Sequence, residues 1–439
     1  MKLKLHPDMI EATRLTREGR LTEATTLLQR LLRSGMEPAD ARRTDLTGDD
    51  GDPAPLGAAQ IIEVTPEMLD VPARRRSLQA GWKEVDTGGS PPGNTSVIAR
   101  PPMPDRLHGF IEKVRRIGAT LSPTRSSSAV SPADDPAVLP TGGQFLTATF
   151  ADQAGTRDYK LYIPSAYQGQ QMPLIIMLHG CTQSADDFAA GTGMNMVAEE
   201  RACFVAYPVQ PKSANVSKCW NWFKPGDQQR GRGEPSLIAG ITRQISRDYA
   251  IDPQRIYVAG LSAGGAAAAI MGATYPDIYA AVGVHSGLAC GAAIDLPSAF
   301  SAMRQGTPVA SNRSPRSFGF HGRDRLVPTI VFHGEKDLTV HPRNGNQVID
   351  QSRSTRLREL RSVTQRGHVP GGHTYSRTSH FDASGRAMLE MWVVHGAGHA
   401  WSGGSPAGSY TDPRGPDASR EMVRFFLDHQ HPHPSENQI

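Results

Sequence analysis

The chain has 439 residues, 38% of them hydrophobic and 6% aromatic, so it is long enough to bury a globular core. Its formal net charge is +4 with dispersed basic residues, which argues against a nucleic-acid partner. Its apolar stretches are shorter than a transmembrane segment, and its first residues lack the apolar core of a secretory signal. We therefore expect a cytoplasmic protein.

The first 34 residues are predicted to form a helical hairpin. Apolar residues recur at helical spacing over residues 10–32, and Gly19 separates the two helices. The pattern is similar to half of a tetratricopeptide unit, and one pair of helices cannot bury its own apolar face. We expect the hairpin to pack on the catalytic domain, on another copy or on a partner.

Residues 35–140 are rich in Pro, Gly, Ser, Arg and Asp, and we interpret them as a disordered, low-complexity linker. Within it, residues 105–121 carry an apolar stripe at helical spacing opposite basic side chains. Such an amphipathic helix could lie on an apolar surface or dock on the main domain. Residues 433–439 are expected to form a disordered tail.

Residues 141–432 are predicted to form an α/β catalytic domain. The segments GQFLTATF and DYKLYIP are typical of antiparallel strands. Short apolar segments separated by helical patterns follow: MPLIIMLHG, ACFVAYP, RIYVAG, YAAVGVHSG, TIVFHG and EMWVVHG. Strands that are apolar on both faces and joined by helices indicate a mostly parallel, doubly wound sheet. Active sites of such sheets gather at the carboxyl ends of the strands.

The segment GLSAGGAAAAI, residues 260–270, follows one of these strands and begins a helix. It fits the pattern G-x-S-x-G of a nucleophile elbow, in which small neighbours allow a strained turn to present a serine. We therefore predict that Ser262 is a nucleophile. The alternative is a glycine-rich packing turn with an unreactive serine.

A serine nucleophile needs a base and an acid that orients the base, and in this fold the acid precedes the histidine in the chain. Asp337 follows TIVFHG at a strand end and is our choice of acid, with Glu335 and Asp324 as competitors. His399 lies in a glycine-flanked loop after the last strand, whereas His395 still belongs to that strand. We predict that His399 is the base.

Two backbone N–H groups are expected to bind the oxyanion that forms when the serine attacks. One belongs to Ala263, directly after the nucleophile, and the other to Cys181, in the loop that follows IIMLHG. His179 in the same loop is predicted to be a hydrogen-bonded structural residue rather than a catalyst.

The sequence does not favour a metal site or an organic cofactor. The four cysteines form no CxxC pair, which argues against zinc and against a thioredoxin-like motif. His368, His373 and His380 lie near one another in a segment rich in Gly, Arg and Ser. We interpret them as solvated loop histidines, with a metal site as the alternative.

Several long segments between residues 141 and 427 resemble the polyhydroxybutyrate (PHB) depolymerase family of esterases, with the type I order of the catalytic domain. They are LHGCTQSADDFAAGTGMN, CWNWF, GLSAGGAAAAIMGATYPDIYAAVGVHSGLACGAA, VFHGEKDLTVHP and HGAGHAWSGGSPAGSYTDPRGPDASREMVRFFL. The resemblance implies an α/β-hydrolase fold and hydrolysis of short-chain hydroxyalkanoate esters. It places Ser262, Asp337 and His399 at the positions of the family's catalytic triad.

The resemblance also bears on three tryptophans and two cysteines. Trp220, Trp222 and Trp401 are candidate substrate contacts because large apolar rings suit an aliphatic polyester, and the alternative for each is a place in the core. Exported members of the family can bridge cysteines resembling Cys181 and Cys219, which would brace the oxyanion loop. A reducing cytosol would keep them as thiols, so both states stay open.

These observations predict a serine esterase that hydrolyses PHB or its oligomers through an acyl-enzyme, without a metal or organic cofactor. A carboxylesterase for feruloyl or acetyl esters is the alternative enzyme. A granule-associated binding protein with a vestigial hydrolase domain is the alternative from another class. We expect a cytoplasmic enzyme that associates with polymer granules or a granule protein through its N-terminal region, with an extracellular location as the alternative.

Overall fold

The computed structural model describes residues 140–306, 326–354 and 360–431, together with the backbone of residues 60–63. All of these residues belong to one compact unit. The predicted helical hairpin, amphipathic helix and C-terminal tail lie outside the described residues. Within the predicted linker, the structure places one short strand at residues 60–63.

Strands and helices alternate along most of the described chain. The strands are β1 Gln60–Glu63, β2 Gln144–Asp152, β3 Gly155–Ile163, β4 Met172–Leu178, β5 Phe204–Pro208, β6 Ile251–Leu261, β7 Ala281–His285, β8 Thr329–Gly334, β9 Arg361–His368, β10 Thr374–Phe381, β11 Ala387–Val394, β12 Trp401–Ser402 and β13 Thr411–Asp412. The helices are α1 Ala185–Thr192, α2 Met194–Arg201, α3 Gly233–Asp248, α4 Ala263–Thr274, α5 Leu296–Gln305, α6 Arg343–Ser354 and α7 Ala418–Leu427.

One large sheet organises the described residues, with strand order β1-β9-β10-β11-β8-β7-β6-β4-β5-β3-β2. The central strands from β11 to β5 all run parallel to one another. The strands β3 and β2 add an antiparallel edge beside β5. The mostly parallel sheet and the antiparallel pairing of GQFLTATF with DYKLYIP are therefore confirmed.

Helices cover both faces of the sheet, so its central strands are apolar throughout. On β4, Leu174, Ile176 and Leu178 pack with α3 and α4, while Ile175 and Met177 pack with α1, α2 and α7. This division follows from the backbone, because successive side chains of a strand point to opposite faces. The buried strands form a rigid support for the loops at their carboxyl ends.

The hairpin formed by β9 and β10 extends the sheet beyond β11 and was not predicted. The interpretation of its histidines as solvated loop residues is wrong for His380. That ring is buried in β10, and its Nδ1 lies 2.7 Å from the Oγ of Ser362. His368 ends β9, and His373 lies in the turn with its Nε2 2.8 Å from Asp412 Oδ2. Polar side chains on both faces of the hairpin hid its strand pattern.

Neither a membrane-spanning helix nor a metal-binding cluster is found among the residues that the structure describes. In that part of the chain, every helix is too short or too polar to cross a bilayer. The same residues contain no group of three or more His, Cys, Asp or Glu side chains that could hold a metal ion.

Candidate active site

Ser262 occupies a strained turn between β6 and α4. Its backbone adopts φ +57° and ψ −116°, a region that residues with a side chain rarely enter. Its N–H donates to the carbonyl oxygen of His285 at 2.9 Å, which fixes the turn against β7. A Cβ on Gly264 would lie 2.0 Å from the carbonyl oxygen of Leu178, and one on Gly260 would lie 2.3 Å from that of Gly264. The turn therefore has the geometry of the predicted elbow.

Asp337 and His399 form a hydrogen-bonded pair, in which His399 Nδ1 donates to Asp337 Oδ2 at 2.7 Å. The other carboxylate oxygen accepts the N–H groups of Thr339 and Val340. Burial alone would raise the pKa of Asp337, but the charge of His399 and hydrogen bonds from His333 and His399 hold it well below its usual range. The ionised carboxylate keeps the proton of His399 on Nδ1, so Nε2 can act as a base.

The competing acid and the competing histidine pair with each other instead. His395 Nδ1 lies 3.4 Å from Glu335 Oε1, and His395 Nε2 lies 2.8 Å from the Oγ of Ser376. Half of the Glu335 side chain is exposed, whereas that of Asp337 is fully buried. Asp324 lies outside the described residues. The geometry thus favours Asp337, and not Glu335, as the partner of His399.

The loop after β4 packs against the elbow and brings the two candidate oxyanion donors to the same edge of the sheet. A Cβ on Gly180 would lie 3.6 Å from the carbonyl oxygen of Leu261, which precedes the nucleophile. Neither the N–H of Cys181 nor that of Ala263 donates a hydrogen bond to another described residue. Both amides can therefore donate to a substrate oxygen, as predicted for an oxyanion hole.

His179 and a disulfide hold this oxyanion loop in place. His179 Nδ1 donates to the carbonyl oxygen of Gly180 at 2.8 Å, and its Nε2 accepts the N–H of Gln210 at 3.1 Å. Burial, opposed by the first of these bonds, lowers the pKa of His179 to about 4. His179 is thus the hydrogen-bonded structural residue that the sequence predicted. Cys181 and Cys219, whose state the sequence left open, form a disulfide.

A buried carboxylate that no sequence pattern indicated anchors the segment CWNWF. Glu234 accepts the N–H and the Nδ2–H of Asn221 at 2.7 and 2.6 Å, and also the Nε2–H of Gln210. The same Gln210 group donates to the carbonyl oxygen of Cys219 at 2.9 Å. Burial, and then the charge of Asp227, raise the pKa of Glu234 to about 7. This network fastens the far end of the disulfide to α3.

The three tryptophans proposed as substrate contacts are core residues, so that prediction is wrong. Trp220, Trp222 and Trp401 are 0%, 6% and 1% exposed. The indole of Trp220 donates to the carbonyl oxygen of His179, and that of Trp401 donates to the Oγ of Ser419, both at 3.1 Å. Rings with so little accessible surface support the loops from beneath and cannot form a wall of the cleft.

Polar contacts that were not predicted join the oxyanion loop to the loop that follows the catalytic base. Gln183 accepts the N–H of Gly180 at 2.9 Å and donates to the carbonyl oxygen of Ser409 at 3.0 Å. The hydroxyls of Thr182 and Tyr410 lie 3.2 Å apart. The two sides of the candidate site are thus tied together at the surface.

Comparison with known proteins shows which esterases this chain is similar to. Residues 157–368 match the family model described as "Esterase PHB depolymerase". Over 256 residues, the chain is 33% identical to poly(3-hydroxyalkanoate) depolymerase C of Paucimonas lemoignei, which covers 57% of this chain and 60% of that protein. Residues 157–368 are thus similar to the PHB depolymerase family of esterases. These two matches confirm the resemblance seen in the sequence. They also confirm the prediction that the domain is of the carboxylic ester hydrolase type.

Relatives of this chain carry the names of different esterases. The poly(3-hydroxybutyrate) depolymerase of Ralstonia pickettii is 27% identical over 243 residues, 53% of this chain and 48% of that protein. Feruloyl esterase B of Neurospora crassa is 31% identical over 194 residues, 40% of this chain and 63% of that protein. The chain thus spans less than two thirds of the length of each of these curated relatives.

A solved structure supports the fold of the described domain. The acetyl xylan esterase from Aspergillus awamori aligns with a TM-score of 0.51 at 19% sequence identity, over 65% of this chain and 99% of that one. At this identity the likeness concerns the fold alone. Together with the parallel sheet order, it confirms the predicted α/β-hydrolase architecture.

Proposed function

We propose that this protein is a serine esterase with Ser262 as nucleophile, His399 as base and Asp337 as orienting acid. The hydrogen bond of 2.7 Å between His399 and Asp337 carries this proposal, because it joins a base and an acid at the edge of the sheet that also carries the strained turn of Ser262. The three residues follow β11, β8 and β6, whose carboxyl ends lie at one edge of the sheet. An active site is expected at this edge.

The catalytic cycle follows from these positions. His399 Nε2 removes the hydroxyl proton of Ser262 while its Oγ attacks the ester carbonyl, and the N–H groups of Cys181 and Ala263 bind the oxyanion. His399 then protonates the leaving alcohol, which leaves a hydroxyacyl ester on Ser262. Water deprotonated by His399 releases the hydroxy acid and restores the serine. Asp337 stabilises the imidazolium in both steps.

The proposed substrates are short-chain polyhydroxyalkanoates, namely PHB or its oligomers. The names of two relatives support this class. Exposed apolar side chains beside the catalytic groups also support it: Leu338, next to Asp337, is 80% exposed, and Tyr410 is 38% exposed. Tyr410 contacts Thr182, which neighbours Cys181 in the oxyanion loop. Apolar groups at such a rim suit contact with an aliphatic polyester.

Small or plant-derived esters are the second candidate substrates. Relatives named feruloyl esterase B and probable acetylxylan esterase A support them. A vestigial domain that only binds a granule is less well supported, because the buried Asp337 carboxylate and His399 keep the hydrogen bond that a working base requires.

The test measures hydroxybutyrate release from amorphous PHB granules, beside hydrolysis of p-nitrophenyl butyrate and methyl ferulate, with Ser262→Ala as the control. Release from granules by the unmodified protein alone would support a depolymerase. Hydrolysis of methyl ferulate without release of hydroxybutyrate from granules would refute the polymer as substrate and support the small esters instead. Equal rates for the unmodified protein and Ser262→Ala would refute the esterase.

We also propose an oxidising, extracellular location rather than the cytoplasm. The disulfide between Cys181 and Cys219 supports it, because disulfides persist in oxidising compartments and are rare in the cytosol. Mass spectrometry of protein from its native source, alkylated before digestion, would detect the bridge, and free thiols there would refute the location. Binding of a granule by residues 1–121 stays a prediction, and unchanged co-sedimentation with granules after their deletion would contradict it.

A further inference from the structure

His285, the last residue of β7, contacts the elements that carry all three members of the candidate triad. Its carbonyl oxygen accepts the N–H of Ser262 at 2.9 Å. Its Nε2 accepts the N–H of Ser402 at 2.9 Å, in the strand β12 that follows the catalytic base. Its ring stacks on Phe332 of β8, the strand that leads to the catalytic acid. One residue thus connects the nucleophile, acid and base segments.

The imidazole lies within a column of buried aromatic rings beneath the site. The rings of Trp392, Phe332, His285 and Trp401 stack in that order with centroid separations of 5.0, 5.8 and 4.9 Å. Phe188 packs edge-on against Trp401 at 5.5 Å. Each of the five residues is at most 3% exposed. Packing alone would be satisfied by another apolar ring, so the nitrogen atoms of His285 need their own explanation.

The hydrogen bonds of His285 fix its tautomer and exclude it as a second base. Because Nε2 accepts the N–H of Ser402, the ring proton lies on Nδ1, which is 3.2 Å from the Oγ of Ser286. Burial, and then electrostatic interaction with His333 and His399, lower the pKa of His285 to about 3. The ring is neutral near neutral pH, and both of its nitrogens face protein groups rather than substrate.

We propose that His285 is a positioning residue that fixes the separation between Ser262 and His399 through its bond to Ser402. This role rests on the proposed function, since it concerns the same triad. A base must lie within hydrogen-bond reach of its nucleophile, and a displacement of about 1 Å can lower the rate by about 100-fold. Without the acceptor, a buried N–H of β12 would lose its partner, and the segment that carries His399 would shift.

The test compares two substitutions that distinguish the role of the hydrogen-bond acceptor from the role of the aromatic ring. His285→Phe keeps an aromatic ring in the column but removes the acceptor, whereas His285→Gln can place an amide oxygen near the position of Nε2. The control is His429→Phe, because His429 is only 2% exposed but follows α7 and hydrogen-bonds Phe425 and Tyr257 rather than a segment of the triad. Thermal unfolding would establish the folded fraction of each variant.

Two rates are measured on the folded protein: labelling of Ser262 by a fluorophosphonate probe, and kcat and KM for p-nitrophenyl butyrate. We expect His285→Phe to lower the labelling rate and kcat by about 10- to 100-fold, with KM within about twofold of the unmodified protein. His285→Gln should recover most of both rates, and His429→Phe should leave them unchanged. A residue needed only for folding would lower the folded fraction without this selective loss of kcat.

Labelling of His285→Phe at the rate of the unmodified protein would overturn the proposal, as would a His285→Gln variant as slow as His285→Phe. If His285→Phe does not fold, His285→Asn is used in its place, because the shorter side-chain amide of Asn cannot reach the N–H of Ser402. Equal rates for His285→Asn and His285→Gln would then overturn the proposal. Rapid labelling without hydrolysis of any hydroxybutyrate ester would refute the proposed substrate class and leave the positioning role standing. No labelling of the unmodified protein would refute both.

Discussion

Acidification should destabilise the domain through two buried histidines, His179 and His285. Each uses Nε2 to accept a backbone N–H, from Gln210 and Ser402 respectively. Protonation would place a second N–H against that donor, so the native structure resists it. The pKa values are lowered to about 4 for His179 and about 3 for His285, both by burial first. In an unfolded chain, a histidine titrates near pKa 6.5.

The sign and size of the effect follow from these values. Between about pH 6.5 and the native pKa, the unfolded chain binds a proton that the folded domain does not, so the free energy of unfolding falls as the pH falls. At about pH 5, each histidine is about 1.5 pH units below its unfolded pKa, which corresponds to about 2 kcal/mol. The two together should cost about 4 kcal/mol, a large part of the stability of a typical domain.

Urea unfolding at about pH 7.5 and about pH 5 measures this loss in the unmodified domain and in His179→Gln, whose amide oxygen can still accept from Gln210. The loss between the two pH values should be smaller by about 2 kcal/mol in the variant. Ile241→Val, in the core on α3, is the control, because it lowers stability equally at both pH values. If His179→Gln loses as much stability between the two pH values as the unmodified domain, the claim that His179 is buried in its neutral form is refuted.

Three further predictions concern the site. Asp337→Asn should lower kcat for p-nitrophenyl butyrate by about 10⁴-fold, because the tautomer of the base is no longer fixed; a loss below tenfold would contradict this role. Gly264→Ala should lower the free energy of unfolding by about 1–3 kcal/mol, since its Cβ would lie 2.0 Å from a carbonyl oxygen of β4, while Gly226→Ala, with open space around it, is the control. Reducing the disulfide between Cys181 and Cys219 should lower kcat, and it should lower the free energy of unfolding by about 2–4 kcal/mol and with it the unfolding temperature. An unchanged kcat and unfolding temperature in dithiothreitol would contradict the bracing role of the disulfide.

The sequence was sufficient for features that depend on strand ends and on local sterics. Ser262 could be located because its turn needs small neighbours, and those neighbours are adjacent in the chain. Asp337 and His399 are 62 residues apart, yet each lies in the loop that follows an apolar strand. Since parallel strands bring their carboxyl ends to one edge, the order of nucleophile, acid and base was enough to pair them.

Contacts between distant, buried groups could not be predicted in the same way. The partner of His285 is 117 residues away, and the pattern YAAVGVHSG does not show whether its ring meets solvent or the core. The same limit explains the error over Trp401, since a large apolar ring suits a cleft and a core equally well. Periodicity identifies the buried face of an element but not which buried side chain makes a hydrogen bond.

The support of the strained turn at Ser262 and the exposed apolar side chains near the candidate site lie in different parts of the structure. A residue at φ +57° stays there only if its surroundings hold it, and the carbonyl of His285 and the close packing at Gly264 provide that support from within. The rim is built differently, from exposed side chains such as Leu338 and Tyr410. Support for the strained nucleophile turn therefore comes from the interior of the domain, whereas the exposed side chains near the candidate site contribute little to it.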